Sequence, residues 1–600
     1  MAQGAKPKFQ RNLRNTRRML EDLPVGGRKR QNNDDNKSSV VIAIDFGTVN
    51  SGIAYSFKKH VNEIYTAIHG GYLEEDRVPT VLLLNPNETF NSFGYEAQRK
   101  YFELPPTQRR TYFYIKNFKM EIYAQNKINR NMMIRDSSGR EVRAMRVFYL
   151  AIKNMKELAE FIIKKSTIGY NKDDTLWVIT IPAISSDSAK QFMREACNNA
   201  GIPDHQLKFV LEPEAAALYC KDRLMADTVP VGFKYIIADL GGGTTDICVH
   251  ETVADDKLIE LYRATGEAVG GSSVDKEFEK FMNDLIGDIV WTEFSSEYPS
   301  VHVRFMNEFQ VKKKHFELGK YAITLRTDTA LIDLIKTRKG KSFHRLISSS
   351  EYADKVIYSP HYDEFVIFRE VMEQFFTPSV KSIIEKIRKV LENCRESNIK
   401  TILLVGGYSE SPYLKERVET EFNDNNLRVY FSVNSRLAVL HGAVMRGWNP
   451  NHIIQRRSRY TYGFSVMCPF VDGKHPNDLR YIQDGKVWCC KVFVKLIEKG
   501  QLLEYRQTFK HKGDNTAISQ ELKHKERFTA VYRSTKKCPE YCTEEHGCNL
   551  IGNITKYPPP EGWPDFWVGE SCLIVGETEF TVKDINLTTG KEYRTRLDFL

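Results

Sequence analysis

Two segments of this chain, VVIAIDFGTVNSGIAYSF from Val40 and YIIADLGGGTTDICVH from Tyr235, share one pattern: an apolar strand, an Asp, a Gly/Thr-rich turn and a second apolar strand. Such a pattern calls for a tight hairpin whose turn has little side chain, so that its backbone N–H groups and a hydroxyl can reach phosphate oxygens. Asp45, Gly47 and Thr48 mark the first turn; Asp239, Gly241, Gly242, Gly243, Thr244 and Thr245 mark the second. A structural hairpin explains either turn alone, but two Asp-headed turns predict a nucleotide held between two related lobes. The chain has no G-x-x-x-x-G-K-[ST] string, and GGGTTD runs into the strand-like ICVH instead of a helix. Neither a P-loop nor a dinucleotide fingerprint fits.

At 600 residues the chain exceeds one core. With 41% hydrophobic and 27% charged residues it reads as soluble and globular, and no apolar run approaches the roughly 18 residues of a membrane span. Much of the net charge of +10 lies in the first forty residues, including Lys6, Arg11, Arg17, Arg18 and Arg30, so the charge does not argue for a nucleic-acid partner. Residues 1–38 lack hydrophobic periodicity and an apolar signal core, and read as a disordered basic tail. Eleven cysteines are too sparse for a disulfide scaffold, so a reducing, cytoplasmic setting is expected, with the nucleus as an alternative.

From Val40 to about Gly447 strands alternate with helices, an α/β pattern, and the two hairpins lie roughly 190 residues apart, consistent with internal duplication. The expected organisation is a nucleotide-binding domain over 39–447, a basic linker over 448–459 and a smaller β-rich C-terminal domain over 460–600. Two further elements bear on the site. TILLVGGYSESPYLKERV places Gly406 and Gly407 between a strand and a helix, where they either admit a ring or ribose or simply make a tight turn. FVLEPEAAALYC places Glu212 at a helix start, a position that also suits a carboxylate stabilised by the helix dipole.

The series Asp-Gly-Thr hairpin, Glu-Pro-x-Ala-Ala-Ala helix, Asp-Gly-Gly-Gly-Thr-x-Asp hairpin and Gly-Gly strand end resembles the actin, hexokinase and heat-shock protein 70 ATPase superfamily. The strings DFGTVNS, EPEAAA, DLGGGTTD and LVGGYSESP resemble the heat-shock protein 70 family, and YFYIKNFKM, RLAVLHGAVMRG and TGKEYRTRLDFL its divergent 12A/12B branch. The resemblance implies an actin-like two-lobed fold with ATP or ADP and Mg²⁺ in the cleft. It assigns Gly47, Thr48, Val49, Gly242, Gly243 and Thr244 to the phosphates. Asp45, Asp239 and Asp246 would orient the water shell of Mg²⁺, which dehydrates reluctantly. Glu212 would join that shell or align the attacking water, with Asp239 the first choice for positioning it. Gly406, Gly407 and Glu410 match the adenosine turn, Gly270 and Gly271 the second lobe's glycine pair, and Gln310, Lys313 and Lys314 the helix against adenine, with an ordinary solvated helix face as the alternative.

Three departures qualify the resemblance. FGYEAQRKY places Gln98 where the family's γ-phosphate Lys is expected, which favours ATP binding over fast hydrolysis. Val49 replaces a second Thr, and HIIQRRSRY, with Arg456, Arg457 and Arg459, reverses the charge of the family's acidic linker. The C-terminal domain carries no expected helical lid or acidic tail peptide, leaving peptide capture or docking as its roles. CPEYCTEEHGC offers Cys538, Cys542, His546 and Cys548, whose spacing matches no common zinc finger, so incidental thiols are the favoured reading. The expected function is an atypical ATP-binding chaperone or docking protein with slow hydrolysis and unidentified protein partners; a pseudo-ATPase scaffold is the alternative, and a metabolite kinase ranks third.

Overall fold

The computed structural model describes residues 38–67, 76–123, 128–225, 229–255, 257–423, 426–432, 434–483, 485–516, 520–576 and 579–595. The basic tail, except Ser38, lies outside them. In the first lobe a sheet runs in the order Leu207–Leu211, Thr175–Ile181, Val40–Asp45, Asn50–Phe57, His60–Thr66. Its first three strands are parallel and its last three antiparallel. The second lobe repeats this arrangement with Arg428–Phe431, Thr401–Val405, Lys234–Leu240, Thr245–Thr252 and Leu258–Glu267. Five strands in the same order and directions, each set built around one Asp-headed hairpin, are the structural form of the duplication read from the sequence.

Strand alternation divides the core into three layers. Val40, Ile42 and Ile44 face a first-lobe core, Ile236, Ala238 and Leu240 a second-lobe core, and Val41, Ala43, Tyr235 and Ile237 a core shared by both lobes. Apolar residues occupy both faces because helices cover both, as in other parallel sheets. Two helices, Glu212–Cys220 and Ala438–Trp448, fill the shared layer. A Cβ on Gly442 would lie 1.8 Å from the Ala215 carbonyl oxygen, so the small residues of EPEAAA and the glycine in VLHGAV are what allow these helices to meet.

Part of the stretch expected as a linker, Ile453–Arg457, is a strand. Ile453–Arg457 pairs in parallel with Leu258–Glu267 and antiparallel with Leu502–Glu504, extending the second lobe's sheet. The basic side chains that suggested a tether are tied down by long-range partners: Arg456 makes two 2.7 Å hydrogen bonds to the fully buried Glu214, and the Arg457 guanidinium donates to the carbonyls of Leu261 at 2.6 Å and Gly500 at 2.8 Å while its backbone N–H donates to Glu260 at 3.1 Å. Beyond it, a five-stranded sheet ordered Arg480–Gln483, Lys486–Ile497, Thr461–Pro469, Arg527–Ser534, Cys548–Lys556 packs on a four-stranded one ordered Thr508–Thr516, Phe566–Val575, Phe580–Asn586, Glu592–Thr595. Phe464, Ile497, Val531, Ile554, Leu573 and Val582 form their common core. This β-rich unit meets the first lobe through Arg533–Asp187 at 2.9 Å and Arg194–Glu579 at 2.5 Å.

Candidate functional site

The two hairpin turns meet at the mouth of the shared layer. Thr180 donates its hydroxyl to Asp45 Oδ1 at 2.6 Å, and Thr80 donates to the Gly47 carbonyl at 2.8 Å, which fixes the first turn. In the second turn Gly241 N–H bonds the Thr244 carbonyl, while the amides of Gly271 and Ser272 bond the carbonyls of Gly241 and Gly242. The turns approach so closely that a Cβ on Gly242 would lie 2.6 Å from Val49 Cγ2, and one on Gly243 equally close to the Thr48 side chain. Glycine at 242 and 243 is therefore a condition of contact between the lobes.

Above them opens a cleft of about 370 Å³, within the range of small-molecule sites. Asp45, Gly47, Thr48, Val49 and Glu212 line it from the first lobe. Asp239, Gly242, Gly243, Thr244 and Gly271 line it from the second, with Gln310, Lys313, Lys314, Gly406, Gly407 and Glu410 at its far end. Two expected residues lie behind the wall. Gly270 packs under the second turn, where a Cβ would sit 2.6 Å from the Gly241 carbonyl oxygen. Asp246 is wholly buried, its Oδ1 accepting the Ala183 N–H at 2.8 Å.

The far end is organised by the second lobe. Lys313 is held by the Gly271 carbonyl at 3.0 Å and by Asp275 at 2.7 Å, and Lys314 lies 3.3 Å from Glu410. Tyr408 and Phe376, nearly parallel with centroids 6.5 Å apart, give this end an aromatic wall, and Tyr408 shares a 2.7 Å hydroxyl hydrogen bond with Ser379. Gly406, at φ 85°, brings its backbone against Asp239, where a Cβ would be 2.3 Å from Oδ1.

A buried cation that the sequence reading did not single out lines the cleft. Gln98 sits on the helix Tyr95–Glu103, near Tyr114 and outside the cleft lining. Lys119 instead enters the cleft, 1% exposed, with its Nζ donating to Glu212 Oε1 at 2.6 Å. The chain turns at Asn117, at φ 56°, to deliver it. Sequence reasoning missed it because Lys116 and Lys119 both stand in the aromatic run FYIKNFKM, and nothing in that pattern distinguishes the buried one. Arg77, which forms an ion pair with Asp45, and Arg436, 3.0 Å from Asp76, are further cleft residues with no sequence signal of their own.

Electrostatics follow from this crowding. Burial, then Glu212 and Asp246, push the Asp239 carboxyl well above its usual range. Burial and Glu212 raise Asp246 to about 7. Burial lowers Arg77 to about 10. A cluster that resists its own negative charge gains from a divalent cation. Among the described residues no three His, Cys, Asp or Glu side chains are gathered to ligate a metal directly, and the carboxylates fit an ion that keeps its waters, as Mg²⁺ does. The Gly/Thr turns at 47–49 and 241–244 line the cleft, and turns of this kind present backbone amides to phosphates, so the residues fit a magnesium nucleotide. The Cys538, Cys542, His546 and Cys548 set is dispersed: Cys538 is exposed beside Lys495, whereas Cys542 and Cys548 pack on Phe493.

Comparison with known proteins agrees with this architecture. The family described as Hsp70 protein matches residues 82–333. Mouse heat shock 70 kDa protein 12A is 30% identical over 94% of this chain and 91% of its own length, and human heat shock 70 kDa protein 12B is 28% identical over the same shares. Heat shock cognate 70 kDa protein 3 of Dictyostelium discoideum is 27% identical, but over only 50% of this chain and 41% of its own. Similarity over nearly the full length, joined to the duplicated lobes and the glycine-lined cleft between them, places the chain in the Hsp70 family, on the side of its 12A and 12B members.

Proposed function

We propose that the cleft binds Mg²⁺-ATP and ADP, hydrolyses ATP slowly, and uses nucleotide occupancy to govern how the protein docks with or acts on other proteins. The observation that carries this reading is the meeting of two glycine turns beneath Asp45, Asp239 and the buried Lys119–Glu212 pair. Mg²⁺, when bound, would neutralise phosphate charge and hold the phosphates in register. The turn amides and the Thr48 and Thr244 hydroxyls would bind phosphate oxygens. Asp239 would position the attacking water, and Lys119 would offset charge developing on the transferred group. Glu212 restrains that ammonium, which suits slow turnover. Gln310, Lys313, Lys314 and Glu410 would surround the base.

Calorimetric titration with Mg²⁺-ATP tests binding, and no heat at millimolar nucleotide would refute the proposal. Single-turnover phosphate release should fall roughly 100-fold in Asp239→Asn. Equal release in both proteins would favour the second reading, a pseudo-ATPase scaffold, for which the Arg77–Asp45 ion pair speaks because it occupies a carboxylate otherwise free to orient the metal's waters.

A further inference from the structure

We propose that Cys468 and Cys489 form a reversible disulfide across the five-stranded sheet, a thiol modification site oxidised by hydroperoxides. The two are directly paired in the antiparallel ladder between Thr461–Pro469 and Lys486–Ile497. Residues so opposed share a sheet face with Cβ atoms roughly 4.5–5.5 Å apart, close to the separation a disulfide spans. The pairing is made by a bulge. Val466 pairs with Val492, so an unbroken ladder would set Cys468 opposite Cys490. The chain carries one extra residue there, with Lys491 at φ 58°, and the register shift brings Cys489 opposite instead.

The two sulfurs differ in a way that assigns their order of reaction. Cys489 is buried, and burial pushes its thiol up. Cys468 is half-buried, and its Sγ lies 3.9 Å from His475 Nε2. His475 Nδ1 accepts the Val471 N–H at 3.0 Å, so in the neutral ring the proton resides on Nε2 and is directed at the Cys468 sulfur. Cys468 is thus the attacking thiol. Its sulfur displaces hydroxide from the peroxide O–O bond to give a sulfenic acid, and its thiol proton leaves with that hydroxide as water. The Cys489 sulfur then displaces the sulfenic hydroxyl, which leaves with the second thiol proton as another water. Two thiols and one hydrogen peroxide yield one disulfide and two waters, and a dithiol reductant restores the pair.

The test uses the full chain, fully reduced, titrated with one equivalent of hydrogen peroxide and mapped by mass spectrometry of non-reduced peptides. The first linked peptides should join Cys468 to Cys489 and part on addition of dithiothreitol. His475→Gln should slow their appearance roughly tenfold while leaving the melting temperature unchanged. Thiols that stay free, or a first link between Cys542 and Cys548 or between Cys489 and Cys490, would overturn the proposal. The wild-type map decides this even if a variant fails to fold.

Discussion

The two lobes are built on the same five-strand plan yet bring opposite chemistry to the cleft. The first lobe's hairpin carboxylate, Asp45, is matched by Arg77 and Thr180, and its neighbour Glu212 by Lys119. The second lobe's carboxylates, Asp239 and Asp246, are buried among other acids and carry raised affinity for protons. Its turn offers backbone rather than side chain, through Gly241, Gly242 and Gly243. Duplication thus supplied two copies of a scaffold, and the side chains beside each turn divided the work: cations of the protein's own stand beside the first turn, while beside the second stands negative charge that an external cation would compensate.

The sharpest way to break this comparison is to remove a first-lobe cation. Lys119→Met strands the buried Glu212, and a loss of about 3–5 kcal/mol in urea unfolding is expected, partly recovered by adding Glu212→Gln. An unchanged midpoint would mean that the pair is not structural. Next comes the second lobe's acid. Asp246 is raised to about 7 in the folded protein, against roughly 4 for an unfolded carboxyl. The folded state therefore holds the proton more tightly between these values, and stability from this group is lost as pH rises from about 4 to 7. Asp246→Asn should gain on the wild type across that window and level off above it, and Mg²⁺-ATP should narrow the gap. The histidines at 250, 302 and 441, each lowered to about 4, act oppositely in both proteins, so the difference between variant and wild type is the quantity to measure. A difference independent of pH would count against the assignment.

Smaller effects sharpen the boundary between the lobes and the β-rich unit beyond them. Arg456→Ala removes the two-point partner of the fully buried Glu214, and about 3 kcal/mol of destabilisation is expected in thermal melts. If residues 453–457 were a free tether, the melt would not move. Gly442→Ala forces a methyl onto the Ala215 carbonyl and should cost about 1–3 kcal/mol, whereas Gly319→Ala, with open space around it, should be neutral.

What was legible in the sequence was local. Each Asp-headed turn, the small-residue helix after Glu212 and the Gly406–Gly407 strand end carry their geometry in adjacent residues, and the structure gathers them on one cleft. What was not legible depended on partners far along the chain. Arg456 and Arg457 read as a solvated basic stretch because their partners, Glu214 and Glu260, stand roughly 200 residues earlier. Gln98 was read at the position expected of the family's Lys and Lys119 drew no reading, because motif spacing does not show that the chain turns left-handed at Asn117 and brings Lys119 to Glu212. Asp246, read as part of the metal's water shell, pairs with Asp239 across the hairpin and lies buried beside it, its Oδ1 held by the Ala183 N–H.

The contact between Gly442 and Ala215 also constrains motion. Two rods that touch with no room for a methyl between them can swivel about the point of touch far more easily than they can slide past it. Opening of the cleft should therefore be a rotation about an axle through that crossing, and displacement should grow with distance from it. The turns would move least, while Lys314, Glu410 and the aromatic wall of Tyr408 and Phe376, farther out, would sweep the widest arc. A ligand could then be gripped by one end at a nearly fixed fulcrum while the other end is admitted or released.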